Sequence, residues 1–349
     1  MSGKQLRVGI IGAGQNTKLR HLPGLREQPD VQVVAVANRT AASAERAARS
    51  LGIPKAHADW QSLVADPEID AVVIGTWPNT HAEMTCAALA AGKHVLCEAR
   101  MARSVAEAKT MVDAASAHPN LTAMVVPSPF GLTCDAQIQG LLKHFFIGHL
   151  REVVVIGAEE VFHDYSEYLH WRQDAEISGV NTLSLGILHE TVSRWIPQPT
   201  SVFAQTQIFE PQRPSPHGPG MLPVTVPESV QVLTQYENGA RGIYHFGGLT
   251  LFGPGHQINL YGSQGTLRIV FQNGEEQVWA ARVGDPALAQ LEIPADKIGK
   301  WRVEEEFVRA IRGEEPVRRN DFATAYRDLM FTEAVLKSAE RNSVVKLPL

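Results

Sequence analysis

Cysteine is scarce in this chain. The 349 residues hold three, Cys86, Cys97 and Cys134, and no two form a C-x-x-C pair. That excludes a disulfide framework and a thiolate metal site, and it suits reduced thiols in a cytoplasmic protein. Long hydrophobic runs are missing too: no segment reaches the roughly 18 apolar residues of a membrane span. The apolar start "MSGKQLRVGIIGAG" breaks at glycines too early for a secretory h-region. Positive charge is not in surplus, with 32 Lys and Arg against 37 Asp and Glu and a net charge of -5, so there is no basic footprint for nucleic acid. Internal repeats and low-complexity tracts are absent. What remains, 44% hydrophobic and 20% charged, is the composition of a soluble globular chain long enough for two domains.

The first part, residues 1–126, repeats a short β-branched run, a turn and a helical stretch. "LRVGIIG", "VQVVAVAN", "IDAVVIGTW", "KHVLCEA" and "LTAMVVP" are nearly continuous in apolar residues, as strands of a doubly wound parallel sheet covered on both faces should be. "TAASAERAARSLGI" and "SVAEAKTMVDAASAH" carry helical spacing between them. From residue 127 to 349 the texture shifts to alternating runs such as "REVVVIGAEEVF" and "HQINLYGSQGTLRIVF", which predict a large, mostly antiparallel sheet in an α+β domain. "PQRPSPHGPGMLP" predicts an exposed loop, and "NDFATAYRDLMFTEAVLKSAERN" a long helix able to brace the first domain.

"VGIIGAGQNT" sets Gly12 and Gly14 after the first strand and before a helical run, followed by Gln15, Asn16 and Thr17. Glycines there permit a tight turn and let backbone amides approach a pyrophosphate. The third glycine of the dinucleotide fingerprint is replaced by Thr17. At the end of the second strand, a carboxylate would bind both ribose hydroxyls and repel a 2′-phosphate; this chain has Asn38, Arg39 and Thr40 instead. That substitution favours NADP, with NAD as the alternative. An arginine solvated on a turn is the plainer reading of Arg39.

On "VGIIGAG", "HLPGLREQPDVQVVAVANRT", "IDAVVIGTWPNTHAEMTCAALAAGKHVLCEARMA", "WRQDAEISG", "INLYGSQGTL" and "FVRAIRGEEPV", the chain resembles the Gfo/Idh/MocA oxidoreductases, the glucose-fructose oxidoreductase and inositol dehydrogenase family, over essentially its full length. The resemblance implies an N-terminal Rossmann domain and a C-terminal domain with a large open sheet. It implies a nicotinamide cofactor touched by Thr76, Trp77, Asn79, His81, Glu98 and Arg100, a carbohydrate-like substrate, and a homodimer or homotetramer. His81 reads equally as an ordinary helix-start histidine.

Two departures concern the chemistry. Where the family carries Glu-Lys-Pro, this chain has Glu98, Ala99 and Arg100, and alanine cannot orient a hydroxyl or move a proton. Where the family places Asp and His four positions apart around a glycine, Gly186 aligns with Ser184 and Leu188, and His189 and Glu190 stand just beyond. His189 lies about 100° around a helix from Leu188. It is the leading acid–base candidate, with Glu159, Glu160 or Asp164 to orient it; a packed histidine fits the pattern equally. His170 and Tyr165 are further catalytic candidates, and His163, Arg172 and Glu190 candidate substrate contacts. The expected activity is an NAD(P)-dependent oxidoreductase of a sugar, polyol or sugar derivative with a non-standard acid–base group. A non-redox lyase, hydratase or glycoside-cleaving enzyme, or a cofactor-bound sensor, are the alternatives.

Overall fold

The computed structural model describes residues 5–349, which divide into two compact units. One takes the chain through Pro127 and adds Arg302–Tyr326; the other comprises Ser128–Trp301 and Arg327–Leu349.

The first unit is built on six parallel strands, β1 (Leu6–Ile11), β2 (Val31–Ala37), β3 (Lys55–His57), β4 (Ala71–Ile74), β5 (His94–Cys97) and β6 (Ala123–Val125), in the order 3-2-1-4-5-6. This is the Rossmann order, whose direction reverses between β1 and β4. Helices α1 (Leu22–Arg26), α2 (Ala41–Leu51), α3 (Trp60–Val64), α4 (Pro78–Ala90) and α5 (Val105–Ala117) connect the strands. All four residues of β4 are buried, which explains its unbroken apolar run. Local signals set the helix ends: the Thr40 side chain accepts from the Ser43 amide to open α2, and Gly52 closes it in the left-handed region at φ 63°. β3 lies outside the apolar runs because it has only three residues, held at the sheet edge by pairing with β2.

The second unit carries α6 (Asp135–Lys143), β7 (Leu150–Ala158), α7 (Ala175–Ser178), α8 (Leu185–Ser193), β8 (Ser201–Gln207), β9 (Gln212–Pro214), β10 (Met221–Pro223), β11 (Ser229–Gln235), β12 (Arg241–Gly247), β13 (Gly255–Gly262), β14 (Gly265–Gln272), β15 (Glu275–Arg282), β16 (Ala289–Leu291) and, at its end, β17 (Val345–Lys346). Nine strands form one sheet, ordered 16-15-14-13-7-12-11-8-17. Every neighbouring pair is antiparallel except β7 and β12. β11 shows how sequence sets the two faces: Val230, Val232 and Thr234 are buried while Gln231, Leu233 and Gln235 are exposed. The inward set packs with Leu185, Leu188 and Val192 of α8. Two last helices are α9 (Val303–Ile311), in the first unit, and the long α10 (Phe322–Arg341), whose Phe331 and Val335 belong to the second unit's core.

The expected loop at residues 211–223 is a hairpin instead. β9 and β10 pair antiparallel, and Arg213 is only 2% exposed. Its guanidinium donates to the carbonyls of Asp164, at 2.6 Å, and Phe162, at 2.5 Å, and lies 3.6 Å from Glu228. A two-stranded ribbon tolerates proline because half of its backbone groups need no partner strand, so composition alone reads it as irregular.

Candidate active site

The first unit presents a turn at the β1/β4 reversal. Gly12 stands at φ 85°, in the left-handed region, and a Cβ there would lie 2.8 Å from Thr76 Cγ2 and 2.9 Å from the Gly75 backbone. Thr17 occupies the position of the third fingerprint glycine. Its side chain is buried and its hydroxyl donates to the Gly12 carbonyl at 3.0 Å. The space it needs comes from the end of β4: a Cβ on Gly75 would collide with Thr17 Oγ1 and lie 2.6 Å from the Gly12 carbonyl oxygen. Gly14 and Gln15 remain exposed above this layer. Asn38 locks the turn to β2, accepting from the Ala13 amide at 2.9 Å and donating to Ser43. Thr40 is occupied in capping α2, and Arg39 is exposed beside it. The Gly12, Ala13 and Gly14 amides bond within the unit, so it is the start of the helix at Gln15, with exposed Gly14 before it and Arg39 nearby, that fits a dinucleotide phosphate.

Below the turn lies a buried charge cluster. The π-helical stretch Thr17–His21 directs the His21 ring inward, with Nε2 at 2.8 Å from Glu98 Oε1 and Nδ1 at 2.5 Å from Glu304 Oε1. Asn16 also donates to Glu98, and the second oxygen of Glu98 accepts from the Ala99 amide at 3.0 Å. Burial alone would lower the His21 pKa, but the two carboxylates overcome it and push it up to about 9. For Glu98, burial is outweighed by His21 and Asn16, so its carboxylate stays below the usual range. Asn16 and Glu98 therefore spend their polar groups inside the protein. His81 is fully buried in α4 and spans Arg100 O, at 2.9 Å, and Thr76 O, at 3.2 Å; burial lowers its pKa, so the neutral ring donates once. It lies between the segment after β5 and the segment after β4, bonded to one of the two carbonyls. Trp77 and Asn79 are exposed at the start of α4, and Arg100 is half-buried.

In the second unit His189 is in the core. It is 1% exposed, its ring stacks on Phe331 at 3.6 Å, and Nε2 lies 2.7 Å from Gln198 Oε1. Gln198 in turn donates to Asp328 at 2.7 Å. Burial takes His189 down to about 3 and Asp328 up to about 7, the latter helped by Glu190. A ring with no route to solvent cannot exchange a proton with substrate, which moves the acid–base role away from it. Glu190 is likewise internal: it receives the Ser128 amide at 2.8 Å and pairs with Arg194 at 2.7 Å. His163, Tyr165 and Arg172 are exposed on the loop between β7 and α7; His163 binds the Glu160 carbonyl and Arg172 lies over the Trp171 ring at 4.2 Å. The His170 ring accepts the Arg172 amide at 3.2 Å as a helix cap, and burial lowers its pKa.

A further polar cluster gathers at His256, at the start of β13, which is 9% exposed. Nε2 of His256 lies 3.0 Å from Ser184 Oγ and 3.3 Å from Glu159 Oε2. Ser184 was legible as the replaced aspartate; its partner comes from a strand 72 residues later, which no local pattern announces.

With this geometry in place, the comparisons are decisive. Residues 6–125 match the oxidoreductase family with an NAD-binding Rossmann fold, and residues 136–268 match the GFO/IDH/MocA C-terminal domain. The chain belongs to the GFO/IDH/MocA oxidoreductase family. Levoglucosan dehydrogenase of Pseudarthrobacter phenanthrenivorans is 27% identical across 99% of both chains. The trans-1,2-dihydrobenzene-1,2-diol dehydrogenase of Sus scrofa is 31% identical over 68% of this chain and 67% of that protein. A solved levoglucosan dehydrogenase, in complex with NADH and L-sorbose, superposes with a TM-score of 0.86 at 24% identity, over 98% of this chain and 99% of that one, which shows a shared fold. As a GFO/IDH/MocA member the chain is an NAD-binding oxidoreductase of the sugar and polyol dehydrogenase type. Among the described residues no helix is long and apolar enough to cross a membrane, and no cluster of His, Cys, Asp and Glu is arranged to hold a metal.

Proposed function

We propose that the protein is a dehydrogenase or reductase of a sugar, polyol or sugar-derived substrate that uses NADP in preference to NAD. The observation that carries the proposal is the turn of Gly12, Gly14 and Thr17 packed on Gly75, beside an exposed Arg39 and with asparagine in place of the ribose-binding carboxylate. Bound there, a nicotinamide dinucleotide supplies the hydride acceptor or donor. The chain's own part is to cradle the pyrophosphate at the helix start that follows Gly14, to meet a 2′-phosphate with Arg39, and to move the hydroxyl proton at a group other than lysine, since position 99 is alanine. The two relatives named above act on levoglucosan and a dihydrodiol, hydroxylated rings that support the substrate class. Half-exposed Leu233 and Ile243 on one face of the nine-stranded sheet support assembly into a homodimer or homotetramer.

The test is direct. NADPH and NADH are titrated against intrinsic fluorescence, and nicotinamide reduction is then followed at 340 nm with levoglucosan, myo-inositol and other polyols. Tighter binding of NADPH and turnover of at least one polyol are expected; a protein that binds neither nucleotide is not this enzyme.

A further inference from the structure

The π-helical stretch Thr17–His21 is fastened at both ends. At its first residue the Thr17 hydroxyl donates to the Gly12 carbonyl of the turn. At its last, the His21 ring lies between two carboxylates brought from distant segments, Glu98 after β5 and Glu304 on α9. The chain runs on into α1, where Gly24 leaves the room that Glu304 occupies: a Cβ there would lie 2.7 Å from Glu304 Oε2. Asn16, one residue ahead of the stretch, donates to Glu98 and has its amide nitrogen 3.4 Å from His21 Nε2. Burying ions beside an irregular helix is costly, and π-helical turns gather at functional sites. What stands over this one is the helix start at Gln15, six residues before His21 and so roughly 9 Å away along the axis. Glu98 and Glu304 face the ring with charge, from the segment after β5 and from α9, and Asn16 faces it without. His81 on α4 also feels Glu98, and burial holds its pKa down; Lys18 and Arg20, on the same stretch as His21, are exposed.

We propose that His21, in its doubly protonated form, is a positioning residue for the dinucleotide, so that cofactor binding by this unit is coupled to a proton held on the ring; the inference rests on the dinucleotide site proposed above. A protonated imidazole has two N–H groups and serves Glu98 and Glu304 together, whereas a neutral ring has one and turns a lone pair toward the other carboxylate. Glu98 also holds the Asn16 side chain, so a disturbance at the ring reaches the residue next to Gln15 in the helix start. Charge works in the same direction. One cation against two anions leaves a single negative charge below the phosphate position, and loss of the proton doubles it. Burial opposes the proton, while Glu304 and Glu98 overcome that and take the pKa of His21 up to about 9. The ring therefore carries its proton at neutral pH and gives it up in mild alkali. By reciprocity, a bound pyrophosphate makes the ring hold its proton more tightly, so binding near pH 9 takes up part of a proton from solvent.

NADPH and NADH are titrated against intrinsic fluorescence from about pH 7.5 to about pH 10, above the range where a 2′-phosphate changes charge, with thermal unfolding recorded at each pH. Calorimetric titration in two buffers of different ionisation enthalpy counts the protons. Both nucleotides are expected to lose roughly ten-fold in affinity across that range, in equal steps because the pyrophosphate is common to them, with net proton uptake near pH 9 and little at about pH 7.5. His21→Gln should bind both at the weaker level with no step, and Glu304→Gln should move the step to lower pH. A constant affinity in the unaltered protein overturns the inference and leaves the dinucleotide site standing. So does a step that survives in His21→Gln, or one confined to pH values at which the free protein has begun to unfold. A protein that binds neither nucleotide at any pH removes the dinucleotide site, and this inference with it. If His21→Gln does not fold, Glu304→Gln decides, and a step left at its original pH rejects the assignment. If neither variant folds, binding without proton uptake near pH 9 in the unaltered protein rejects it.

Discussion

His21 and Glu304 stand 283 positions apart in sequence and meet at 2.5 Å with both side chains buried. The contact fastens α9 beneath the dinucleotide turn and, with Glu98 on the other ring nitrogen, holds a protonated imidazole inside the first unit. The folded pKa of about 9 lies above the unfolded value, so the stabilisation is complete below pH 6.5 and is lost as pH rises through 9. The melting temperature should therefore fall between pH 6.5 and 9.5. His21→Gln should remove that slope and cost about 3 kcal/mol at pH 6.5, since it strands two buried carboxylates. A variant that melts with the same pH slope as the unaltered protein would show that another group is responsible.

Arg39→Ala separates the two nicotinamide cofactors. An exposed guanidinium that pairs with a 2′-phosphate contributes a charge-assisted contact, so NADPH affinity should drop by roughly ten-fold or more while NADH affinity barely moves. Equal losses for both, by fluorescence titration, would mean that Arg39 does not discriminate.

Ala99→Lys should fail to produce an ordinary family dehydrogenase. Groups that act as a unit contribute non-additively, and by the family resemblance the companion aspartate and histidine positions are expected to hold Ser184 and Leu188. Steady-state rates on a polyol panel check this; a large gain from the single substitution would show that the rest of the machinery is intact.

His189→Ala should destabilise without altering the chemical step. It removes a ring stacked on Phe331 and leaves Gln198 without its buried partner, a loss on the order of 2–4 kcal/mol. Denaturant melts should register it, while kcat of the folded fraction stays within a few-fold of normal. A hundred-fold fall in kcat at unchanged stability would return His189 to the reaction.

The fold was legible because the first unit writes itself in local signals: apolar runs of the right length, Thr40 and Gly52 at the ends of α2, and glycines at the turn after β1. β3 escaped because three residues at an edge need no pattern of their own, and the β9–β10 hairpin because its order comes from the buried Arg213 rather than from its own composition. The site was harder to read for the same reason. Gly12, Thr17 and Asn38 carry their roles in one stretch, although the space for Thr17 comes from Gly75 on another strand. Asn16, Glu98 and His81 look like ligand contacts in sequence, and the hydrogen bonds they make within the protein come from partners far along the chain that no local pattern announces. His189 could not be placed from sequence at all: its ring faces a phenylalanine in the core, a setting made by tertiary packing alone.

The line from His189 through Gln198 to Asp328 also sets how folding handles charge. At about pH 5.5 the unfolded chain carries an imidazolium at position 189 and a carboxylate at position 328, a cation and an anion that would both have to be dehydrated. In the folded protein the histidine has fallen to about 3 and the aspartate has risen to about 7, so both are neutral. Folding at that pH thus releases one proton and takes up another. The core discharges an ion pair by exchanging its protons rather than burying it, and because the exchange is balanced, these two residues add no pH slope to stability there.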